Sequence, residues 1–360
     1  MTADTLKVCH VGIGYWGPNL MRNVAANATA ELTAVCDLRA KSLQEAAEKY
    51  PDARLYDSMD AVLADPDLDA LVIATPSGLH YEQAKAALSA KKHVFVEKPL
   101  AETVGQAQEL THLAASVDRV VMVGHTFLFN NLVHEVKDCI DSGELGEIFY
   151  AYSQRLNLGR FRTDSDVMWT LAPHDVSILN YWFDASATVV RANGQAHIHP
   201  SLGVAEVCFA NLEYPHGRSA HLHLSWLDPQ KRREMVVVGS KKMLVYDDMN
   251  AEAHIRIYDK SAEAQHQSAI SDFADFTTRL RAGGMVSPQV RLVEPLSVEI
   301  AHFVDCCRTG STPVTDGRHA IDVIAVLEAM ERSMKADGAA MYVERPDAEE
   351  PAGNTNRDMS

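Results

Sequence analysis

Three glycines near the start of the chain constrain its fold most strongly. The apolar run 8–11 precedes Gly12, Gly14 and Gly17, and the residues that follow have helical spacing. A second apolar run ends on Asp37, which lies 20 residues after Gly17. A strand, a glycine turn, a helix, a second strand and an acid together form the fingerprint of a dinucleotide-binding βαβ unit.

Each part of this motif has a physical role. Gly12 permits a tight turn, Gly14 lets the backbone approach a pyrophosphate, and Gly17 lets the helix pack closely on the strand. Free N–H groups at the start of the helix hold anionic phosphates. We therefore predict cofactor contacts from these glycines and from Tyr15 and Trp16 between them.

The acid after the second strand predicts which dinucleotide binds. The Asp37 carboxylate can bind both ribose hydroxyls and repel a 2′-phosphate, which favours NAD. Arg39 and Lys41 lie close by in the sequence and would tolerate that phosphate, so NADP stays open.

Residues 1–124 alternate short apolar runs with helical patterns, which predicts a doubly wound parallel sheet, a Rossmann domain, with helices on both faces. The predicted strands lie at 8–11, 32–36, 71–74, 94–96 and 120–123. The predicted helices between them include 42–49, 81–90 and 103–115.

Residues 125–343 have a different pattern, which predicts an α+β domain for substrate binding and oligomerisation. A helix capped by Asn130 or Asn131 comes first, and strand-like alternation then dominates, which indicates an open, mainly antiparallel sheet. Strands are predicted at 148–156, 188–192, 205–212, 219–226, 235–238 and 243–246, with a hairpin turn at 239–242. Helices are predicted at 166–183, 295–307 and 319–335. Residues 344–360 are predicted to be a disordered tail.

Charge and cysteine content exclude several classes of protein. The formal net charge of −16 disfavours nucleic acid or an anionic membrane as a partner. The six cysteines form no CxxC pair and indicate reduced, mostly buried thiols. We find no secretory signal and no apolar run that could span a bilayer, so a cytoplasmic protein is predicted.

Two loops at the carboxyl ends of predicted strands carry the residues suited to chemistry. Thr75 and Pro76, with His80 shortly after, follow the strand at 71–74, and Glu97-Lys98-Pro99 ends the next strand. Doubly wound sheets bind ligands at this edge, so Lys98 is predicted to point into the crevice.

These segments resemble the Gfo/Idh/MocA oxidoreductases, which use NAD or NADP on sugars and cyclitols. The resemblance rests on the glycine motif, the two crevice loops, the 239–242 hairpin and His174. It implies that Thr75, Pro76, His80, Glu97 and Lys98 contribute to cofactor binding. It also implies that Lys98 and His174 face the substrate across from the nicotinamide.

Segments 14–19, 157–160 and 171–175 are similar to the branch of this family that acts on nucleotide-linked sugars. That similarity implies substrate contacts from Asn157, Arg160, Thr170, His174 and Asp175, together with Lys98. Many relatives carry an acid where this chain has Thr170, four residues before His174. The division of acid and base roles between Lys98 and His174 therefore stays open.

Both side chains suit hydride chemistry, in which a hydroxyl proton leaves as hydride moves to the nicotinamide. A lysine can act as the base when burial and nearby positive charge lower its pKa, and a histidine titrates near neutral pH with little help.

A nucleotide sugar carries a pyrophosphate, for which arginine forks are well shaped. Candidate cations are Arg155, Arg160 and Arg162, and the run 231–233, which we interpret as a solvated charged segment. Histidine pairs at 197/199 and 221/223 lack an evident third ligand, so no metal site is predicted.

The leading hypothesis is an NAD-dependent dehydrogenase or ketoreductase acting on a secondary hydroxyl, at C3 by resemblance, of a nucleoside-diphosphate hexose. The alternatives are the same reaction on a free sugar or inositol, and a dinucleotide-binding regulator without turnover. A homodimer or homotetramer is expected, since one face of the second sheet is free to pair subunits.

Overall fold

The computed structural model describes residues 5–159, 161–163, 165–264 and 278–345. Its first sheet has six parallel strands in the order β3-β2-β1-β4-β5-β6. The strands are β1 Leu6–Val11, β2 Ala30–Cys36, β3 Arg54–Tyr56, β4 Ala70–Ile73, β5 His93–Glu97 and β6 Val121–Gly124. Every residue of β4 and β6 is buried, which explains their continuous apolar runs.

The helices between these strands complete the predicted Rossmann domain. They are α1 Gly17–Ala26, α2 Ala40–Lys49, α3 Met59–Leu63, α4 His80–Ser89 and α5 Val104–Ser116. The sequence pattern predicts all of these strands and helices except β3 and α3. Those two have three and five residues, which is too short for a hydrophobic period to show.

The second sheet has nine strands in the order β14-β13-β12-β11-β7-β10-β9-β8-β15. Its strands are β7 Ile148–Leu158, β8 Val189–Gln195, β9 Val207–Glu213, β10 Ser219–Ser225, β11 Leu227–Gly239, β12 Met243–Asp247, β13 Ile255–Ala264, β14 Thr278–Val286 and β15 Met341–Tyr342. All neighbours are antiparallel except β7 and β10. The prediction of an open, mainly antiparallel sheet is confirmed, although it did not include β13, β14 and β15.

Four helices accompany this sheet: α6 Asn131–Asp141, α7 Val167–Phe183, α8 Pro295–Thr309 and α9 Gly317–Lys335. Asn130 caps α6 by accepting a hydrogen bond from the Leu132 N–H, which decides between the two predicted caps. Asp166 caps α7 in the same way through the Trp169 N–H. Alternate residues of β10, such as Leu222 and Leu224, are buried on the sheet face that α7 covers.

The last two helices pack against the first domain as well as the second. α9 contacts α5, and α8 contacts α1. Phe303 of α8 meets Phe95 of β5 edge to face, with ring centroids 5.7 Å apart. One hydrophobic core therefore runs through both sheets.

The cysteines are unpaired, and Cys307 alone among the six is not fully buried. In the described ranges, no helix is both long and apolar enough to cross a membrane. Residues 346–360 lie outside the described residues, so the predicted disordered tail stays a prediction.

Candidate active site

The glycine turn after β1 has the shape that a pyrophosphate requires. Gly12 has φ +94°, and a Cβ there would lie 2.8 Å from Thr75 Cγ2. A Cβ on Gly17 would lie 2.8 Å from the Gly12 carbonyl oxygen, whereas Gly14 has no such neighbour closer than 3.7 Å. Backbone is therefore exposed at Gly14, immediately before the N terminus of α1, which fits a dinucleotide phosphate.

Asp37 lies at the end of β2, against the same turn. Its Oδ2 accepts a hydrogen bond from the Ile13 N–H at 2.7 Å, and its Oδ1 accepts one from Arg39 Nε at 3.0 Å. Burial would raise the pKa of Asp37, but these hydrogen bonds hold that pKa below its ordinary value. Asp37 and Arg39 were predicted to contact the cofactor ribose and a 2′-phosphate on it, respectively. The two side chains contact each other, and Arg39 is largely exposed to solvent.

Three of the predicted cofactor residues differ in their exposure to solvent. Tyr15 and Trp16 are exposed, and their rings pack edge to face. His80 is buried, and its Nδ1 and Nε2 lie 2.7 Å and 2.8 Å from the carbonyl oxygens of Pro99 and Thr75. His80 therefore lies between the two crevice loops, and its predicted contact with the cofactor stays a prediction.

A cavity of about 630 Å³ lies between the two sheets. The first domain contributes the glycine loop, the end of β5 and the turn after β6, and the second contributes β7, α7 and the start of β11. Its lining includes several side chains that the sequence placed in the site: Trp16, Glu97, Lys98, Asn157, Thr170 and His174.

Lys98 extends from the end of β5 to α7. Its Nζ donates a hydrogen bond to the Thr170 carbonyl oxygen at 2.9 Å. Burial lowers the pKa of Lys98 to about 8, with Arg155 and Arg162 acting in the same direction and Glu97 opposing them. An amine with this pKa can exchange a proton near neutral pH.

His174 lies one turn after Thr170 on α7, with its ring 5.0 Å from that of Phe127. Burial, and then the positive charges of Lys98 and Arg155, lower the pKa of His174 well below its ordinary value. The imidazole is therefore neutral. Within the described residues its Nδ1 has no hydrogen-bond partner, so that nitrogen is available to a ligand.

The Thr170 side chain does not take the place of the acid that many relatives carry at this position, four residues before His174. Its hydroxyl donates to the Asp166 carbonyl oxygen at 2.8 Å, within α7, and so is not directed at His174. The main chain of Thr170 contributes instead, since its carbonyl oxygen holds the Lys98 amine.

Asp175 lies behind the cavity wall. Its side chain is completely buried, and Oδ1 accepts hydrogen bonds from Arg155 Nε at 2.9 Å and Nη2 at 2.6 Å. The Arg155 guanidinium lies 4.8 Å from the centre of the Phe127 ring and lines the cavity. The buried carboxylate of Asp175 therefore orients Arg155, and its predicted contact with substrate stays a prediction.

The segment 231–233 keeps Lys231 and Arg232 exposed to solvent, as we interpreted it, and it also reaches the cavity. Lys231, Arg232 and Arg233 all line it. The cause is strand pairing: β11 is longer than predicted and aligns Arg233 with Arg155 of β7. Arg160, the other predicted phosphate ligand, lies outside the described residues.

Sequence reasoning missed the wall formed by Thr126 and Phe127 and by residues 292–296. Thr126 and Phe127 follow β6, so the rule that ligands bind at the carboxyl ends of parallel strands could have found them. Nothing in the sequence pattern marks 292–296, where Glu294 accepts hydrogen bonds from Arg22 and Asn23 of α1.

The predicted histidine pairs have neighbours of other kinds. His221 Nδ1 lies 2.5 Å from Asn211 Oδ1, and the His223 ring stacks on Phe209 at 4.3 Å. Among the residues that the structure describes, no three histidine, cysteine or acidic side chains are grouped to hold a metal ion.

Family models match most of both domains. Residues 6–125 match the oxidoreductase family with an NAD-binding Rossmann fold, and residues 133–245 match the GFO/IDH/MocA C-terminal domain. The chain belongs to the Gfo/Idh/MocA family. This Gfo/Idh/MocA oxidoreductase is 30% identical over 230 residues to a 4-carboxy-2-hydroxymuconate-6-semialdehyde dehydrogenase from Sphingobium, covering 61% of this chain and 72% of the relative.

Solved structures share the fold of this Gfo/Idh/MocA protein. The apo scyllo-inositol dehydrogenase from Lactobacillus casei superposes with a TM-score of 0.77 at 18% identity, covering 95% of this chain and 99% of that one. A UDP-N-acetylglucosamine 3-dehydrogenase from Acidithiobacillus ferrooxidans superposes with a TM-score of 0.73 at 23% identity, covering 92% and 98%. These structures show the shared fold, and the family models identify the protein as an NAD-binding oxidoreductase.

Proposed function

We propose that this enzyme interconverts a secondary hydroxyl and a ketone, at C3, of a hexose carried on a nucleoside diphosphate. The observation that carries the proposal is a single cavity that is lined by Lys98 and His174 and also by three basic side chains, residues 231–233. A sugar-sized reacting group and an anionic handle can bind there together.

The roles of the two central side chains follow from their protonation. When bound, the nicotinamide accepts or supplies the hydride. Lys98 takes the hydroxyl proton during oxidation and returns it during reduction, because its pKa of about 8 allows both forms. Neutral His174 holds the same substrate oxygen through a hydrogen bond.

The basic side chains of residues 231–233 suit a diphosphate. The protein has a net charge of −16, so its general field repels anions, and a cluster of basic side chains in one cavity works against that field. Arg232 hydrogen-bonds only to the amide oxygens of Gln230 and Gln154 among its described partners, with no carboxylate among them. Its fork is thus suited to bind phosphate oxygens.

The second candidate is the same reaction on a free sugar or inositol. The favouring observation is the shared fold with the scyllo-inositol dehydrogenase. The UDP-N-acetylglucosamine 3-dehydrogenase shares that fold too, so fold alone does not choose between the substrates. The basic side chains of residues 231–233 in the cavity favour a nucleotide sugar as the substrate.

The deciding experiment follows NADH absorbance across UDP-, TDP- and GDP-hexoses, free hexoses and inositols. We expect turnover with a nucleotide sugar, and we expect Arg232→Ala to raise KM for that sugar by about tenfold or more. The matched control is Arg191→Ala, which removes an exposed arginine of β8 that pairs with Glu213. Equal KM increases for nucleotide sugars and free sugars would support the second candidate.

We further propose a homodimer or homotetramer in the cytoplasm. The support is the second sheet, whose face opposite α7 carries partly exposed aromatic residues, including Tyr150 and Phe209. Light scattering of the purified protein tests the assembly, and a monomeric mass would contradict it.

A further inference from the structure

A second cavity, of about 650 Å³, lies at the edge of the parallel sheet opposite the cofactor crevice. Residues at the amino ends of strands line it, including Leu6 at the start of β1, Asp69 immediately before β4 and His93 at the start of β5. Lys98 follows the carboxyl end of β5, and no described residue lines both cavities. The second cavity is therefore separate from the active site, and its volume is within the range of small-molecule sites.

Basic residues predominate in the lining of this second cavity. They are Lys91, Lys92, His93, Arg119 and Arg308, whereas Asp69 is the acidic residue among the described lining residues. No described carboxylate forms an ion pair with Lys91, Arg119 or Arg308, which we call the unpaired cations. The protein as a whole has a net charge of −16, so this cluster attracts anions locally against the general field.

The main chain holds the Arg119 guanidinium in place. Its Nε donates a hydrogen bond to the Lys91 carbonyl oxygen at 2.6 Å, and its Nη1 donates one to the Asp118 carbonyl oxygen at 2.5 Å. Its Nη2 has no described partner. The two bonds fix the plane of the guanidinium before a ligand arrives, which lowers the entropy cost of binding, and the remaining N–H groups suit the oxygens of a phosphate.

Lys92 contributes a buried cation to the same lining. Its Nζ donates to the carbonyl oxygens of Asp65 at 2.9 Å and Leu68 at 2.5 Å, which leaves a third N–H without a described partner. Its charge acts on the Asp65 carboxylate, but that carboxylate forms an ion pair with Arg54 at 2.9 Å. A bound anion would stabilise this ammonium, because burial removes the water that would otherwise solvate it.

His93 supplies a neutral donor. Its Nδ1 accepts a hydrogen bond from the Val120 N–H at 3.0 Å, so the neutral ring carries its proton on Nε2, which has no described partner. Burial, and then Arg119, lower the pKa of His93 to about 4, while Asp69 and Asp118 oppose them. The ring is therefore neutral near pH 7 and has an N–H to donate.

We propose that this second cavity is an anion site that binds a phosphate group, either as the phosphate ester of a small polyol or as the free ion. The unpaired cations neutralise the dianion, and Lys92 and His93 donate N–H groups to its oxygens. Asp69 Oδ2 accepts a hydrogen bond from the Lys7 N–H at 2.9 Å, whereas its Oδ1 has no described partner and suits a ligand hydroxyl. The volume leaves room for a sugar-sized group beside the phosphate.

The test titrates inorganic phosphate and, separately, glucose 6-phosphate into the full-length protein by calorimetry, with ionic strength held constant by sodium chloride. Saturating NAD⁺ occupies the glycine turn, so that phosphate does not bind there. We expect Arg119→Gln and Arg308→Gln each to raise the Kd by about tenfold, because each removes a charge-assisted hydrogen bond. The ligand with the lower Kd identifies the source of the phosphate group, the free ion or the ester.

Two control variants locate the site. Arg318→Gln removes an exposed arginine of α9 that also lacks a described acidic partner, and it should leave the Kd unchanged. Arg232→Ala removes a basic side chain of the first cavity and should also leave this Kd unchanged.

Three results would overturn the proposal: no binding of either ligand, an unchanged Kd in both Arg119→Gln and Arg308→Gln, or a loss in a control variant as large as theirs. If Arg119→Gln does not fold, Arg308→Gln decides, because Arg308 makes no described hydrogen bond whose loss would disturb the fold. The titrations contain no nucleotide sugar, so failure of every such sugar as a substrate would leave this inference standing.

Discussion

At the scale of single residues, the site is defined by charges that burial changes. Lys98 and His174 are far apart in sequence but line one cavity, where the charge of Lys98 lowers the pKa of His174. Burial, and then the positive charge around it, keep His174 neutral, whereas burial lowers the pKa of Lys98 to about 8. We therefore propose Lys98 as the group that exchanges the substrate proton, with His174 as a neutral hydrogen-bonding partner.

Replacing that amine should stop turnover without loss of the cofactor. We expect Lys98→Ala to lower kcat by about 10²–10⁴-fold, the usual contribution of an acid–base group, with the Kd for NAD⁺ within about twofold of the wild type. Steady-state kinetics and fluorescence titration measure the two quantities. Lys85→Ala removes a surface lysine paired with Glu109 and should change neither. Undiminished activity of Lys98→Ala would remove Lys98 from the mechanism.

The pKa of Lys98 also sets the direction of the pH dependence. The neutral amine is the base, and its fraction rises as pH increases through about 8. The rate of oxidation should therefore rise through this pH and then level off, while the rate of reduction should fall. Profiles of kcat/KM against pH test this. Glu97, whose pKa burial raises to about 7, also titrates nearby and raises the pKa of Lys98, so Glu97→Gln should keep one transition with its midpoint moved below 8 if Lys98 causes it.

At the scale of elements, the junctions between strands and helices hold the site. The turn from β1 to α1 exposes backbone at Gly14, and His80 at the start of α4 joins the loops after β4 and β5. Few residues other than glycine fit at the turn from β1 to α1, because a Cβ at Gly12 or Gly17 would overlap backbone atoms.

That crowding predicts opposite results for two glycine substitutions. Gly12→Ala should destabilise the protein by about 1–3 kcal/mol, because φ is +94° and the new Cβ would contact Thr75 and Ala74. It should also weaken NAD⁺ binding. Gly105→Ala, within α5 and with no atom within 4 Å of the new Cβ, should be neutral or stabilise by up to about 1 kcal/mol. Urea unfolding measures both, and equal effects would contradict the prediction.

At the scale of the whole molecule, the two sheets share a core because α8 and α9 return to the first domain. Phe303 of α8 packs on Phe95 of β5, and both rings are completely buried. The cavity lies between the sheets, so its geometry depends on how firmly these helices join them.

We therefore expect the two domains to unfold together. Phe303→Ala should cost about 3–5 kcal/mol and lower a single transition for the whole chain. Calorimetry tests this, with Phe149→Ala, which truncates an exposed aromatic side chain of β7, as the control. Two separate transitions, of which only one shifts, would show that the shared core does not couple the domains.

Much of the fold was predictable because its signals are local. The glycine motif, the apolar runs of the parallel sheet and the caps at Asn130 and Asp166 are each set by a few neighbouring residues. β13 and β14 were missed because their alternation is weak, and β15 because it has two residues.

The sequence by itself determined the dinucleotide fold, because the glycine motif is local to one βαβ unit, and its resemblance to the family singled out Lys98 and His174 as candidates. Only the tertiary structure decided what surrounds them. The pairing of β11 with β7 brought residues 231–233 to the cavity, and the packing of α7 on the sheet buried Asp175 beneath Arg155. Strand register and helix packing join residues distant along the chain, and burial, which sets their charge, follows from those contacts.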